Sequence, residues 1–299
     1  MANFIDTYLG EIFALTTALT WGLAVILFKK SGESVHPIAL NTYKNLLAVV
    51  LFIPTLYLFK EELFRPVPVE DYLLLLLSGA LGIGIADTLF FKCLNLIGAG
   101  LTAIVDCLYS PSIIALSMIW LGESLSLLQI IGVILVISAI LAATHKRGRG
   151  AISRRDFLLG LLFGVLAMVT MAVGIVMIKP LLSRSPLIWA TEMRLVGGLI
   201  VLLLVLIFHP KRRQITATAI SMTGWLYTLL GSFFGAYISM VLWLGGMKYT
   251  QASTAAGLNQ TSNIFIFIFA ALFLKEPLNA IRIISIILAV AGVLLITFG

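Results

Sequence analysis

The chain has 299 residues, of which 61% are hydrophobic and only 11% are charged. A soluble globular domain has roughly 45–50% apolar and about 25% charged residues, so this composition excludes a water-soluble fold. The formal net charge is +7. The basic residues lie in short runs between apolar segments, which indicates signals of membrane topology and argues against a nucleic-acid-binding surface.

Apolar segments of about 20 residues, the length of a helix that crosses a hydrocarbon core of roughly 30 Å, follow one another along the whole chain. They are continuous, as in the leucine run at 73–77, and lack the alternation of polar and apolar residues that is typical of a transmembrane β-barrel. The sequence therefore predicts an all-α integral membrane protein with ten transmembrane helices. The predicted helices lie near residues 9–28, 38–59, 73–92, 98–120, 126–143, 157–179, 187–208, 224–247, 253–274 and 280–298.

The distribution of Lys and Arg predicts how this protein is oriented in the membrane. The loops on the side of the two termini contain five of these residues, and the loops on the other side contain thirteen. Because short loops rich in Lys and Arg stay in the cytoplasm, both termini are expected outside, in the periplasm or the extracellular space. The membrane would be the plasma or inner membrane, crossed many times, with the basic loop 144–156 in the cytoplasm.

The sequence contains a weak internal repeat, with offsets of 149 or 150 residues at first and 153 residues later. Each copy contains five predicted helices, so the second copy would cross the membrane in the opposite sense to the first. The sequence therefore predicts two five-helix inverted-topology repeats, residues 1–145 and 157–299, joined by a basic cytoplasmic linker at 146–156. Such repeats are typical of transporters with a substrate site near the midplane. The aligned residues include Gly10 with Gly160, Lys29 with Lys179, Thr42 with Thr191, Leu46 with Leu195, Gly82 with Gly235 and Ala99 with Ala252.

The repeated motifs resemble those of the drug/metabolite transporter superfamily, in particular its ten-helix members with two EamA domains. In the first half they are Trp21-Gly22, Pro37, the stretch from Ala99 through Pro111, Leu121-Gly122-Glu123-Ser124-Leu125 and Gly132. In the second half they are Pro186, Arg194, Ala252-Ser253, Leu274-Lys275-Glu276-Pro277 and Gly292. The resemblance implies export or exchange of amino acids, other metabolites, nucleotide sugars or drugs, without ATP hydrolysis.

Five ionisable residues lie within the predicted helices: Lys44, Asp87, Asp106, Glu192 and Arg194. Such residues are costly in lipid and usually face a polar interior, so all five are predicted to belong to the substrate site. If all five faced one cavity, the three carboxylates would outnumber the two cations. One acid, Asp87 or Asp106, would then lack a fixed partner and could carry a proton or anchor a cationic solute. The alternative is structural, with Lys44 paired to one acid and hydroxyl groups bonded to the other.

Polar and aromatic residues inside the predicted helices complete the expected substrate site. Asp106 and Tyr109 lie on one helical face, and the offset of 153 places them over Asn259 and Ser262. With Asn263, these residues are predicted to bind substrate, although hydrogen bonds between helices would explain the polar ones equally well. Interior aromatic residues could stack on a ligand or hold an ammonium group, or simply pack. Those predicted to bind substrate are Trp21, Tyr43, Tyr109 and Tyr237.

These features predict a secondary active transporter that moves a small organic solute by alternating access. The favoured solute is an amino acid or related metabolite with a protonatable amine, exported in a proton-coupled or exchange process. The alternative is uptake or efflux of a quaternary ammonium ion or another organic cation or drug. A channel or an intramembrane enzyme is the interpretation from a different class.

The sequence contains no catalytic motif such as H-E-x-x-H, G-x-S-x-G or G-x-x-x-x-G-K-[ST], so the protein is not expected to be an enzyme. Cys93 and Cys107 lie in apolar segments without nearby histidines. Neither a metal site nor any cofactor is therefore predicted. The expected partners are the solute and the lipid bilayer, without nucleic acid, and the chain is expected to be a monomer or a homodimer.

Overall fold

The computed structural model describes residues 8–121, 126–145, 152–220, 224–250 and 252–298. Within these ranges the chain forms helices and no strands. Two short helices, Lys179–Arg184 and Arg212–Ile220, lie between longer ones. The ten long helices are α1 (Leu9–Ser31), α2 (Pro37–Leu58), α3 (Val69–Ile97), α4 (Ala99–Asp106 and Tyr109–Leu121), α5 (Leu127–His145), α6 (Arg154–Val176), α7 (Leu187–Phe208), α8 (Trp225–Tyr249), α9 (Ala252–Asn259 and Ser262–Phe273) and α10 (Ala280–Phe298).

The predicted all-α membrane architecture is confirmed. Eight helices are long and apolar enough to cross a membrane, and α5 and α10 contain shorter apolar stretches. The largest differences in boundaries are at α3, which was predicted at 73–92 and spans Val69–Ile97. Its first turn contains Glu70 and Asp71, which interact favourably with the positive end of a helix and extend it beyond the apolar run. Most of the predicted linker, residues 146–151, lies outside the described residues.

The junction between α3 and α4 is a sharp turn closed by an acidic residue from the other repeat. Gly98 has φ +83°, a left-handed conformation that glycine adopts without strain. The Glu276 carboxylate accepts the backbone N–H groups of Ala99 at 2.7 Å and Gly100 at 3.0 Å. The same carboxylate also forms an ion pair with Arg282, whose Nη1 lies 3.9 Å from Glu276 Oε2. The equivalent Glu123 lies outside the described residues.

Four interruptions break the long helices, and they form two symmetry-related pairs. A π-helical turn replaces the α-helix at Ala80–Ile85 in α3 and at Phe233–Ile238 in α8. Two residues separate the halves of α4 at 107–108, and two separate those of α9 at 260–261. Each interruption in the second repeat lies 153 residues after its counterpart, which is the offset found in the sequence. The two repeats therefore share the same irregular backbone.

The two repeats interlock instead of lying side by side. Helix α1 packs against α8 and α9 of the second repeat, and α6 packs against α3 and α4 of the first. Helices α5 and α10 touch through glycine, because a Cβ on Gly132 would lie 2.6 Å from the Gly292 carbonyl oxygen. Since each repeat has five helices, the second begins on the opposite side of the bilayer from the first.

This inverted arrangement predicts that equivalent loops face opposite sides of the membrane. Glu33 and Ser183 are exposed residues that follow α1 and α6, 150 positions apart. We expect Glu33→Cys and Ser183→Cys, each made with Cys93 and Cys107 replaced by alanine, to react with a membrane-impermeant maleimide from opposite sides. Labelling of intact and permeabilised cells measures this. Reaction of both cysteines from the same side would contradict the inverted repeat.

Candidate functional site

A cavity lies between the two repeats, next to the four helix interruptions. Its empty volume is about 730 Å³, including the part open to the outside. Residues from α1, α3, α4 and α6 to α9 line it. Among the described residues, helix α2 contributes none to the lining. The cavity thus lies where irregular backbone and polar side chains meet.

Most of the lining residues form symmetry-related pairs, separated by 150 residues in α1 and α6 and by 153 elsewhere. Because both members of each pair face the same space, the cavity lies on the pseudo-two-fold axis that relates the repeats. The pairs are Trp21 with Met171, Gly82 with Gly235, Asp87 with Met240, Phe90 with Trp243, Asp106 with Asn259 and Tyr109 with Ser262. The other lining residues are Thr17, Ile83, Arg194, Ser239 and Gln260.

The structure brings together seven of the twelve residues that the sequence predicted to bind substrate. Five others lie outside the lining. The seven are Trp21, Asp87, Asp106, Tyr109, Arg194, Asn259 and Ser262. The five are Tyr43, Lys44, Glu192, Tyr237 and Asn263.

Lys44 and Asp87 form a buried ion pair between α2 and α3. The side chains are 1% and 6% exposed, and the Lys44 ammonium group also lies 5.4 Å from the centroid of the Phe91 ring. Asp87 lines the cavity, whereas Lys44 approaches its carboxylate from behind. The pairing that the sequence offered as a structural alternative is therefore present for Asp87.

Asn41, which the sequence analysis did not single out, supports the π turn beside Asp87. Its Nδ2 donates to the carbonyl oxygens of Ile83 at 2.8 Å and Gly84 at 3.3 Å. The Thr88 hydroxyl also donates to Gly84, at 2.7 Å. A π turn leaves carbonyl groups without regular helical partners, and within a membrane they need partners from the protein. Asn41 and Thr88 therefore fix the backbone that presents Asp87.

Asp106 has a different environment from Asp87, because no cation forms an ion pair with it among the described residues. It ends the first half of α4, and its carboxylate interacts with the side-chain amides of Gln260 and Asn263 from α9. The Asn263 amide also donates to Gln260 Oε1 at 2.6 Å. Of the two candidate acids, Asp87 and Asp106, it is therefore Asp106 that has no cationic partner among the described residues. Gln260 was missed, although it lies inside the predicted polar cluster.

Arg194 is held in the cavity by an aromatic residue of α8. Its guanidinium carbon lies 5.0 Å from the centroid of the Trp243 ring, which is within the range of a cation–π interaction. With the Asn259 amide turned so that its oxygen faces Trp243, the Trp243 Nε1–H donates to that oxygen at 2.8 Å and the Asn259 nitrogen donates to the Ala14 carbonyl at 3.2 Å. The only signal for Trp243 in the sequence is its position 153 residues after Phe90.

The remaining predicted residues lie outside the lining of the cavity. The Tyr237 hydroxyl forms a hydrogen bond with the Thr55 hydroxyl at 2.7 Å, and its ring packs against Phe52 with centroids 5.0 Å apart. Tyr43 is half-buried on α2. Glu192 is 1% exposed, and one of its carboxylate oxygens has no hydrogen-bond partner among the described residues.

Comparison with known proteins identifies the family. A model of the EamA-like transporter family matches this chain twice, at residues 8–144 and 158–298. The chain belongs to the EamA-like transporter family. Each match covers five of the ten helices, so the two-repeat architecture of this family is present in full. The domain boundaries at 145 and 157 stay predictions.

Similar proteins extend along nearly the whole chain. An uncharacterized transporter from Archaeoglobus fulgidus is 24% identical over 285 residues, which is 95% of this chain and 96% of that protein. Another, from Methanothermobacter thermautotrophicus, is 26% identical over 302 residues, 96% of this chain and 85% of that protein. A crystal structure with 17% sequence identity superposes with a TM-score of 0.71 over 96% of this chain and 95% of its own. That similarity shows the fold alone.

The ion pair beside the cavity yields a prediction about stability. Asp87→Asn leaves the Lys44 ammonium group buried without its counter-ion, which typically costs about 3–5 kcal/mol. We expect this variant to have a clearly lower melting temperature than wild type in detergent. The double variant Lys44→Met/Asp87→Asn removes both charges and should recover most of the loss.

The control for this cycle is Glu33→Gln, which breaks an exposed pair with Lys30 at 3.5 Å. Exposed pairs contribute only about 0–1 kcal/mol, so its melting temperature should remain near that of wild type. If the double variant were as unstable as Asp87→Asn, the ion pair would not be the source of the loss.

Proposed function

We propose that this EamA-family protein is a secondary active transporter that moves an amino acid or related metabolite out of the cell. The solute binds in the cavity between the repeats, and rocking of one repeat against the other opens the cavity to each side in turn. Transport is coupled to protons or to exchange, and the protein is not an enzyme. The observation that carries this proposal is that twelve of the lining residues are symmetry-related across the two repeats.

The broken helices support a binding site at this place. Non-helical backbone is tolerated at membrane depth only where protein or a water-filled cavity surrounds it. In many transporters, interrupted helices present polar backbone and side-chain groups to substrate or coupling ions near the midplane. Here Asp106 and Tyr109 flank the interruption of α4, and Asn259 and Ser262 flank that of α9. All four residues line the cavity.

We propose Asp106 as the group that binds the coupled proton or the amine of the solute. It has no cationic partner among the described residues, whereas Asp87 is neutralised by Lys44. Asp87 is therefore the second candidate for proton coupling. Trp21 and Asn259 are proposed to contact the solute together with Tyr109 and Ser262.

We place the protein in the plasma or inner membrane with both termini outside and the basic loop 144–156 in the cytoplasm. The excess of Lys and Arg on the side of that loop supports this orientation. The labelling of Glu33→Cys and Ser183→Cys also decides it, since Glu33 is then expected to react only from the cytoplasm. Whether the chain works as a monomer or a homodimer stays a prediction.

The second candidate function is transport of a quaternary ammonium ion or another organic cation or drug. Two observations favour it. The Asp106 carboxylate has no ion-pair partner in the described part of the chain, and the aromatic residues Trp21, Phe90 and Trp243 line the same cavity. Aromatic rings attract ammonium groups by cation–π interactions.

Proteoliposome transport tests the role of Asp106. The solute is first found by a thermal-shift screen of metabolites and organic cations on purified protein, and counterflow is then measured as a function of pH. Loss of a hydrogen bond to a charged group costs about 1.5–3 kcal/mol, so Asp106→Asn should reduce transport roughly tenfold or more. The pH dependence of the remaining transport should disappear.

The matched control is Glu62→Gln, which neutralises an exposed acid in the loop between α2 and α3. It should transport like wild type at every pH. Wild-type rates and pH dependence in Asp106→Asn would remove this residue from the mechanism. The absence of saturable counterflow for every compound that binds would contradict the transporter itself.

A further inference from the structure

We propose that Arg194, positioned by Trp243, binds a carboxylate group of the transported solute. The solute is then a zwitterion with a carboxylate and an ammonium group, and not a simple cation. This inference rests on the proposed function, because it concerns the ligand of the same cavity.

The symmetry of the cavity shows that the fold does not require a cation at the position of Arg194. The equivalent residue in the first repeat is Asn45, which lies 149 positions earlier and does not line the cavity. Its Nδ2 donates to the Asn41 carbonyl oxygen at 2.9 Å and to Asn41 Oδ1 at 2.8 Å, within α2. In the first repeat, this position is therefore occupied by a neutral amide that forms hydrogen bonds within its own helix. The positive charge is particular to the second repeat and needs another explanation.

Arg194 has hydrogen-bond donors without partners. The residue is 1% exposed, and neither its Nε nor its Nη1 has a hydrogen-bond partner among the described residues. Asp87 is close enough to interact with it electrostatically, but that carboxylate is already paired with Lys44. A buried charge without a bonded counter-ion is costly. A bound anion would satisfy these donors.

The surroundings of Arg194 hold its guanidinium group in place and leave room beside it. The guanidinium carbon lies 5.0 Å from the Trp243 ring centroid, and a planar guanidinium matches a carboxylate through two parallel hydrogen bonds. A Cβ on Gly82 would lie 3.2 Å from Arg194 Nη2, so glycine keeps this side open. The Tyr109 hydroxyl is buried and lies near both Arg194 and the Trp243 N–H, and its O–H has no acceptor among the described residues. Tyr109 can donate to the same anion.

The rest of the cavity fits a solute that also has a positive group. Arg194 belongs to α7 of the second repeat, whereas Asp106 belongs to α4 of the first, and both line the cavity. One solute with a carboxylate and an ammonium group would satisfy both charges. Trp21, Phe90 and Met240 supply the apolar surface for its side chain. A solute with only a positive charge would leave Arg194 buried and unpaired.

Ligand-induced thermal stabilisation of the purified full-length protein tests this inference. The probes are the common amino acids, the amines that result from their decarboxylation, and choline. We expect at least one amino acid to raise the melting temperature and its decarboxylated amine to have no effect. Arg194→Gln should weaken the apparent affinity for that amino acid about tenfold or more. Arg194→Lys keeps the positive charge but loses the planar guanidinium group, so it should retain part of the affinity for that amino acid.

The melting temperature without ligand separates binding from a structural role. Arg194→Gln removes a buried charge that has no ion-pair partner in the described residues, so it should leave that temperature unchanged or raise it. A residue that only holds helices together would lower it. Trp243→Phe keeps an aromatic ring beside Arg194 but loses the hydrogen bond to Asn259. This variant should bind the amino acid more weakly without unfolding. The exposed Arg213→Gln is the control and should resemble wild type in both measurements.

Several results would overturn the inference. They are stabilisation by choline or an amine that persists in Arg194→Gln, a wild-type ligand response in that variant, or no response to any amino acid. The first of these would leave the transport proposal standing, with a cation as solute. Failure of the transport proposal is seen separately, as a compound that binds to the protein but shows no counterflow in proteoliposomes.

Discussion

The structure depends on one constraint, that every backbone N–H and C=O group inside the bilayer needs a partner from the protein or from a water-filled space. Regular helices satisfy it, but the π turns at Ala80–Ile85 and Phe233–Ile238 do not satisfy it by themselves. In the first repeat, Asn41 bonds the carbonyl oxygens at the π turn. The interruptions are therefore concentrated around one cavity, where polar groups from both repeats meet. The position of the cavity therefore follows from the positions at which the helices are interrupted.

The frame of the cavity is symmetric, but its charges are not. The first repeat contributes Asp87 and Asp106, and the equivalent residues of the second are Met240 and Asn259. Because Lys44 neutralises Asp87, the charged lining residues without an ion pair in the described part of the chain are Asp106 of α4 and Arg194 of α7. Symmetry suits alternating access, since both repeats must make equivalent contacts in the two states. Asymmetry suits recognition, since a solute with two different ends binds in one orientation.

Much of this arrangement could be predicted from the sequence. The continuous apolar runs predict the ten helices, and the offset of 153 residues in the sequence pairs Asp106 with Asn259. The direction in which a side chain points was harder to predict, because these helices are apolar on nearly all sides and have no polar face to fix their rotation. Lys44 and Tyr237 were therefore assigned to the site by depth alone, but they lie behind it. Trp243 was missed because an aromatic residue in an apolar helix looks like ordinary packing.

The most direct test of alternating access uses a single cysteine in the cavity. Ser262→Cys, made with Cys93 and Cys107 replaced by alanine, changes little in size and lies in the lining. Ser232→Cys is the control, since Ser232 is buried in α8, away from the cavity. A membrane-impermeant thiol reagent should label the cysteine at 262 in both right-side-out and inside-out vesicles, and the one at 232 in neither. Labelling at 262 from only one side, or from neither, would contradict the account.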